Sequence, residues 1–332
     1  MNTKTRVIIV SLLVLCGLAG VWLLKHRESQ TPGVRVALLQ YIDHPALNEA
    51  RDAFEKHLRE ELASAGKQLN LHYENVQGDP VLMQNLLASI NPSDYDVIVT
   101  FATPISQAAK KRFDSSGTPL VYGVITDPVS AGLVNSMDKP GDNNTASSDQ
   151  WPYREQMEMI HAIMGDKNRI GCLLNPGEAN TQYAMKKVRE AAGDLKLQLI
   201  EQPLSSVNDV AQAVTALQGR VDAIYIPADN TAMSAAPAII HQADDANIPV
   251  FAGDPGTFRA GAVAGVGVSY TDVGIETANI VLQIVNNKTP AGQIPVALCK
   301  KPEVMVNKEK AAKQGLTIPE TVLTNLEAQS SK

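Results

Sequence analysis

Six short apolar runs in this chain each stop at a small polar or proline-bearing loop, and a helix-like stretch follows every loop. Val36–Tyr41 runs into Ile42-Asp43-His44-Pro45, Val97–Phe101 into Ala102-Thr103-Pro104, and Leu120–Val124 into Ile125-Thr126-Asp127-Pro128. Ile170–Leu174 leads to Asn175-Pro176-Gly177-Glu178-Ala179-Asn180, Ala223–Ile226 to Pro227-Ala228-Asp229-Asn230-Thr231, and Pro249–Ala252 to Gly253-Asp254-Pro255-Gly256. The runs are dense in Val, Ile and Leu without strict alternation, as strands covered on both faces require. Strand and helix alternate from Val34 onward, so the fold class is α/β with parallel sheets, not a sandwich or a bundle. In such sheets ligands bind outside the carboxyl ends of the strands, where helix N-termini offer unpaired N–H groups. Side-chain oxygens stand at those ends, which is the pattern of a binder.

The helix-like segments are Ala46–Ala65, Val81–Ile90, Pro104–Phe113, Glu155–Met164, Asn180–Ala192, Val207–Leu217, Thr231–Asp244 and Asp272–Val285. In the first, Ala46, Ala50, Phe54, His57, Leu58 and Leu62 recur at helical spacing and predict one buried face. Periodicity breaks over Val134–Gln150, at Pro140-Gly141-Asp142-Asn143-Asn144. Two α/β lobes of similar build are expected, joined near Thr145–Ser148. Pro295–Cys299 and Glu303–Asn307 supply two more short strands, so the chain is expected to cross between lobes more than once. The division reads 1–33 for leader and linker, 34–145 plus 271–300 for lobe 1, and 146–270 plus 301–328 for lobe 2.

The 332 residues suffice for two such units, and 44% hydrophobic against 19% charged is ordinary for a folded chain. A net charge of −6 argues against a nucleic-acid partner. The three cysteines, Cys16, Cys172 and Cys299, are too few and scattered for a disulfide framework, and Cys172 and Cys299 read as buried free thiols. Val7–Leu24 is an apolar run between Lys4 and Arg6 on one side and Lys25 and Arg27 on the other. Its length favours an uncleaved membrane anchor. Cys16-Gly17 as a lipoprotein site and Gly17-Leu18-Ala19 as a small-x-small cleavage site are the alternatives. All three put the body on the extracytoplasmic side, tethered or released after cleavage.

Catalytic motifs are scarce. The chain has no G-x-S-x-G elbow, phosphate loop or H-E-x-x-H, and no cofactor is expected. The glycines of Gly261–Gly267 have the wrong spacing for a dinucleotide fingerprint and read as a closely packed strand. Of six histidines, His44 alone stands in a strand-end loop, where it either shapes the turn before Pro45 or contacts a ligand. Thr103-Pro104 reads as a helix start with Thr as cap, and its N–H groups suit a carboxylate. Asp127-Pro128 either initiates a turn or contributes to the site. Capping accounts for one side chain of Asp229-Asn230-Thr231, not all three. Asp254 rests on its location. With aromatic residues at 5%, a sugar ligand is disfavoured, while Tyr41, Phe101, Tyr122 and Trp151 stand where they can enclose one flat or apolar side chain. The candidate ligand-binding set is Tyr41, His44, Thr103, Thr126, Asp127, Ser148, Asn180, Asp229, Asn230 and Asp254. In it, Thr103 and Ser148 would serve a carboxylate, and Asp229 and Asp254 an ammonium.

His44-Pro45-Ala46-Leu47, Ala102-Thr103-Pro104, Thr126-Asp127-Pro128-Val129-Ser130-Ala131-Gly132-Leu133-Val134 and Asn175-Pro176-x-Glu178-Ala179-Asn180 occur in order. They are followed by Val221-Asp222-Ala223-Ile224-Tyr225-Ile226-Pro227-Ala228-Asp229-Asn230-Thr231 and Ile248-Pro249-Val250-Phe251-Ala252. From about Val34 to about Leu323 the chain thereby resembles the ABC-transporter substrate-binding proteins of the tryptophan/tyrosine-binding type. The resemblance implies two Rossmann-like lobes of the type I periplasmic-binding architecture, with three crossovers and a ligand cleft between them. The body, expected to be monomeric, would hand a small molecule, an amino acid in several relatives, to an ABC permease by hinge closure. The hinge segment Thr145-Ala146-Ser147-Ser148-Asp149 departs from the family, which usually has Gly second and Thr third. A membrane-tethered sensor signalling to a partner protein is the rival reading. An enzyme is the weakest, for want of an activated nucleophile or metal set.

Overall fold

The apolar runs form the centres of two parallel sheets. The structure, a computed structural model, describes residues 33–299 and 302–324. The leader with its anchor and cleavage readings, Cys16, and Lys300-Lys301 of the last expected crossing lie outside the described residues. Among those described, no helix is long and apolar enough to cross a membrane. The first sheet contains β1 (Gly33–Gln40), β2 (Gln68–Asn75), β3 (Val97–Phe101), β4 (Leu120–Ile125), β5 (Asn144–Ser148) and β11 (Ala297–Leu298), in the order β11-β5-β4-β3-β1-β2 and all parallel. The second contains β6 (Arg169–Leu174), β7 (Gln198–Pro203), β8 (Ala223–Ile226), β9 (Val250–Ala252), β10 (Ala264–Val268) and β12 (Pro302–Val306). Its order is β12-β10-β9-β8-β6-β7, with β12 antiparallel to β10. Each sheet thus reverses its winding at its first strand, the topological switch point at which such folds bind ligands.

The helices are α1 (Pro45–Ser64), α2 (Pro80–Ser89), α3 (Thr103–Phe113), α4 (Tyr153–Met164), α5 (Ala179–Asp194), α6 (Val210–Leu217), α7 (Asn230–Ser234), α8 (Ala236–Asp245), α9 (Pro255–Arg259), α10 (Tyr270–Asn287) and α11 (Lys308–Lys313). Several are started by polar residues in the loops that precede them. His44, Asp79, Asp229, Asp254 and Ser269 each accept a backbone N–H from the first turn of the helix they precede, satisfying donors that have no partner inside the helix. The single helix expected over Thr231–Asp244 is two, α7 and α8, meeting at Ala235. Pro237 is the physical reason, since it lacks the N–H a continuous helix would need there. α3 also begins one residue earlier than expected: Ala102, not Thr103, is its cap, at φ +84°.

α10 follows β10 of the second sheet yet packs on α1 in the first lobe. The two helices approach so closely at Gly274 that a Cβ there would lie 2.1 Å from the Ala50 carbonyl oxygen. The chain therefore crosses between lobes after β5, at Ser269, and between β11 and β12. The boundary set at residue 145 needs correction. β5 pairs with β4 and β11 through Ser148, and its side chains are tied into the first lobe by Thr145 Oγ1 to Ile294 O at 2.8 Å and Ser147 Oγ to Thr277 Oγ1 at 2.7 Å.

Candidate cleft site between the lobes

A narrow cavity of about 20 Å³ lies where the carboxyl ends of both sheets face each other. His44 and Leu47 of α1, Thr103 of α3, and Val124 and Thr126 at the end of β4 line it from the first lobe. Asn180 of α5, with Ala228, Asp229, Asn230 and Met233 around α7, line it from the second. Asp149, Trp151 and Tyr270 come from the first and second crossings. Small-molecule pockets start at about 300 Å³, so the lobes must part and the lining side chains shift for a ligand of amino-acid size to enter. A larger hollow of about 520 Å³ lies at the opposite end of the first lobe, around Gly33, Lys67, Asp96 and Lys288. Two of its charged groups have partners, Lys67 with Asn286 and Asp96 with Arg35, whereas the interlobe cavity gathers buried polar atoms without hydrogen-bond partners among the described residues.

Two strained residues shape it. Ala102 at φ +84° and Val124 at φ +57° end β3 and β4 in a region non-glycine side chains avoid. At Val124 the β4–β5 register slips, which frees its side chain for the cavity wall. Strain of this kind persists where the surroundings hold it, characteristically at ligand sites.

His44 caps α1 by accepting the Leu47 N–H at Nδ1, 3.2 Å away. The neutral ring therefore carries its proton on Nε2, a buried atom with no hydrogen-bond partner among the described residues. Burial pushes its pKa down to about 4, against the neighbouring Asn230 and Asp43, so at neutral pH it presents one uncharged donor. Asp149 Oδ2 accepts the Tyr270 hydroxyl at 2.7 Å, while Oδ1 is buried and unpartnered. Burial, opposed by that hydrogen bond, pushes Asp149 up to about 6. Asn180 donates through Nδ2 to Glu178 Oε2 and Ala228 O, each at 3.0 Å, and leaves Oδ1 without a partner. The Thr103 hydroxyl caps nothing. Behind Trp151 lies Gly253, where a Cβ would stand 1.9 Å from the indole ring. Gly253 is held in turn by Gln156 Nε2 donating to its carbonyl at 3.2 Å.

Six of the ten sequence candidates meet at this cavity: His44, Thr103, Thr126, Asn180, Asp229 and Asn230. Two of those are already engaged. Asp229 accepts from Asn175 N at 2.5 Å and Thr181 Oγ1 at 2.8 Å with one oxygen, and from Ala232 N at 2.8 Å with the other. Asn230 donates to Glu178 through both its backbone and side-chain nitrogens. Glu178, buried, also accepts from the Thr231 backbone and hydroxyl, so it knits the second lobe's loops together.

The other four candidates do not line the cavity. Ser148 donates to Thr126 O and accepts from Gln150 N. Asp127 accepts the Ser130 N–H at 2.6 Å, a turn role. Asp254 caps α9 through Oδ1, although its Oδ2 is buried without a partner. The phenol of Tyr41 is pushed up to about 12, by burial first and then by Glu178 and Asp229. Of the four aromatics, Trp151 lines the cavity, but Phe101 and Tyr122 are wholly buried in the first lobe's core. They sit on strands covered on both faces, and their rings point into the helix layers instead of along the strand ends. Reading the residues one at a time missed Asp149 and Tyr270, whose signal was only their position at expected crossings. Among the described residues, no three His, Cys, Asp or Glu side chains gather as metal ligands.

The lobes touch around this cavity. Ser234 Oγ donates to Asp43 O at 2.9 Å, Arg259 pairs with Glu49, and a Cβ on Gly256 would stand 2.9 Å from Pro45 Cβ. Comparison with known proteins gives the same picture. The chain is 27% identical, over 82% of its length and 79% of the other's, to a tyrosine-binding protein of Clostridioides difficile (strain R20291). An ABC domain from Streptococcus pneumonia in complex with L-Trp superposes with a TM-score of 0.83 at 27% identity, covering 88% of this chain and 98% of that one. The ligand-free, open structure of a Clostridium difficile substrate binding protein with adhesive properties, also 27% identical and covering 86% and 96%, gives 0.63. At equal identity the chain superposes better on the tryptophan complex than on the open structure. The family model of ABC transporter substrate binding proteins matches residues 35–330, and the chain belongs to that family.

Proposed function

We propose that this protein captures an amino acid, with an aromatic one such as L-tryptophan or L-tyrosine fitting best, on the extracytoplasmic face of the membrane and delivers it to an ABC permease. The observation that carries the reading is the set of unpartnered polar atoms around one small cavity. Asp149 Oδ1 and Asn180 Oδ1 are acceptors suited to an ammonium. His44 Nε2–H and the hydroxyls of Thr103 and Thr126 are donors suited to a carboxylate. Leu47, Met233 and Trp151 supply the wall for an apolar or flat side chain. The ammonium role falls to Asp149 and not to Asp229, whose oxygens are occupied. The complex with L-Trp and the tyrosine-binding relative support the ligand class.

Mechanistically, the lobes would open about the three crossings, admit ligand to one wall, and close so that the other wall completes the hydrogen bonds. The leader would tether the body near its permease or be removed after export. Calorimetric titration of the purified protein with L-tryptophan, L-tyrosine, D-glucose and adenosine tests the ligand class. Binding of an aromatic amino acid alone is the expected result, and binding of the sugar or nucleoside instead would overturn it. Small-angle scattering should show a smaller radius of gyration with L-tryptophan than without.

A further inference from the structure

Two residues outside the candidate set determine how Asp149 meets its ligand. Trp151 Nε1 donates to the Tyr270 hydroxyl oxygen at 3.1 Å, and that hydroxyl donates to Asp149 Oδ2 at 2.7 Å. The direction is forced, because an indole nitrogen can only donate and the phenol has a single proton. With Asp149 ionised, Oδ2 is therefore an acceptor already in use, and a proton taken up on Oδ1, the oxygen left for the ligand, keeps both of these hydrogen bonds in place. Asp149 and Trp151 lie on the first crossing and Tyr270 on the second, so the chain of hydrogen bonds also ties two hinge strands together.

We propose that Tyr270 and Trp151 are positioning residues that hold Asp149 with Oδ1 toward the cleft, so that a proton and the ligand's ammonium compete for one oxygen and the protein releases its ligand in mild acid. The proposal rests on the amino-acid reading above. The groups facing Asp149 suit it. From α4 comes Tyr153, from the loop before α9 Asp254, from α10 Tyr270, and from the end of β11 Cys299. Tyr153, Tyr270 and Cys299 are all held neutral by burial, Cys299 with its pKa raised to about 12. Asp254, itself shifted upward by burial, adds repulsion and no compensating positive charge. With Asp149 near 6, ligand affinity should be flat above about pH 7 and about tenfold weaker at pH 5.

The test is the Kd of L-tryptophan by calorimetry from pH 5 to pH 8, for the native protein, Tyr270→Phe and Asp149→Asn. The native protein should lose affinity with a midpoint near pH 6, and Asp149→Asn should bind weakly with no such midpoint. Tyr270→Phe removes a hydrogen bond that favours the charged carboxylate, so its midpoint should rise by about one pH unit. A role in packing alone would weaken binding by the same factor at every pH and leave the midpoint in place, which would overturn the proposal. A flat native profile would overturn it whether or not the variants fold. If Asp149→Asn binds L-tryptophan like the native protein, the proposal fails while the amino-acid reading stands; if the native protein does not bind it at any pH, the amino-acid reading itself fails and the proposal with it.

Discussion

Replacing Asp149 by asparagine should abolish tight binding and at the same time stabilise the ligand-free protein. Asparagine keeps the shape and still offers Tyr270 an acceptor, so the substitution removes little besides the charge. Burial moves this carboxyl from 3.8 to about 6, which costs the charged form about 3 kcal/mol. The sign follows from linkage. The native-state value lies above the unfolded one, so the group's full contribution to stability is present below about pH 3.8 and is lost as pH rises through about 6. The variant's advantage should therefore be absent at pH 3.5 and reach up to about 3 kcal/mol at pH 7.5, on the order of 5 °C in melting temperature. A charge-assisted hydrogen bond contributes about 1.5–3 kcal/mol, so affinity for L-tryptophan should fall about tenfold to a hundredfold. Scanning calorimetry at both pH values and titration calorimetry at pH 7.5 read the two effects. A variant with lower stability at pH 7.5 and native affinity would refute the reasoning on both counts.

Three further variants separate binding from architecture. Asp229→Ala strands the Asn175 and Ala232 N–H groups and the Thr181 hydroxyl, so chemical denaturation should show a loss of about 2–4 kcal/mol. Native stability with lost affinity would instead return the ammonium role to Asp229. His44→Asn keeps a side-chain oxygen to cap α1. Because burial lowers His44 from 6.5 to about 4, the native protein gives up about 3 kcal/mol of that group's stability as pH falls between those values. The variant should lack this acid-side loss, and an unchanged stability-versus-pH curve would contradict it. Gly253→Ala places a methyl against the Trp151 indole and should drive the ring into the cavity. Calorimetry should then show a larger loss of affinity for L-tryptophan than for L-alanine, and equal losses would count against Trp151 as the ligand's wall.

How far the sequence carried depends on where each element sits. The central strands were legible because both faces are covered and their apolar runs are unbroken, as in Val97–Phe101 and Ala223–Ile226. β2 and β7 were not, because they are edge strands with mixed exposure and polar sequences such as Gln68-Leu69-Asn70-Leu71-His72. β5 is buried, yet its Asn-Thr-Ala-Ser-Ser sequence satisfies its polarity through long-range hydrogen bonds that no local pattern reveals. Within the site, loop residues at strand ends were found by position. Which of them remain free for a ligand was not legible, since Asp229 and Asn180 look alike in sequence and differ only in how many partners the fold supplies. Tyr270 reaches Asp149 across 121 residues, a separation that hides the pairing until the chain has crossed the hinge twice.

The most direct measurement is a crystal structure of the protein with bound L-tryptophan. The account predicts the amino acid in the interlobe cavity, its ammonium within about 3 Å of Asp149 Oδ1, its carboxylate on His44 Nε2 and the hydroxyls of Thr103 and Thr126, and its indole against Trp151. An ammonium paired with another carboxylate, or a ligand seated outside this cavity, would contradict it.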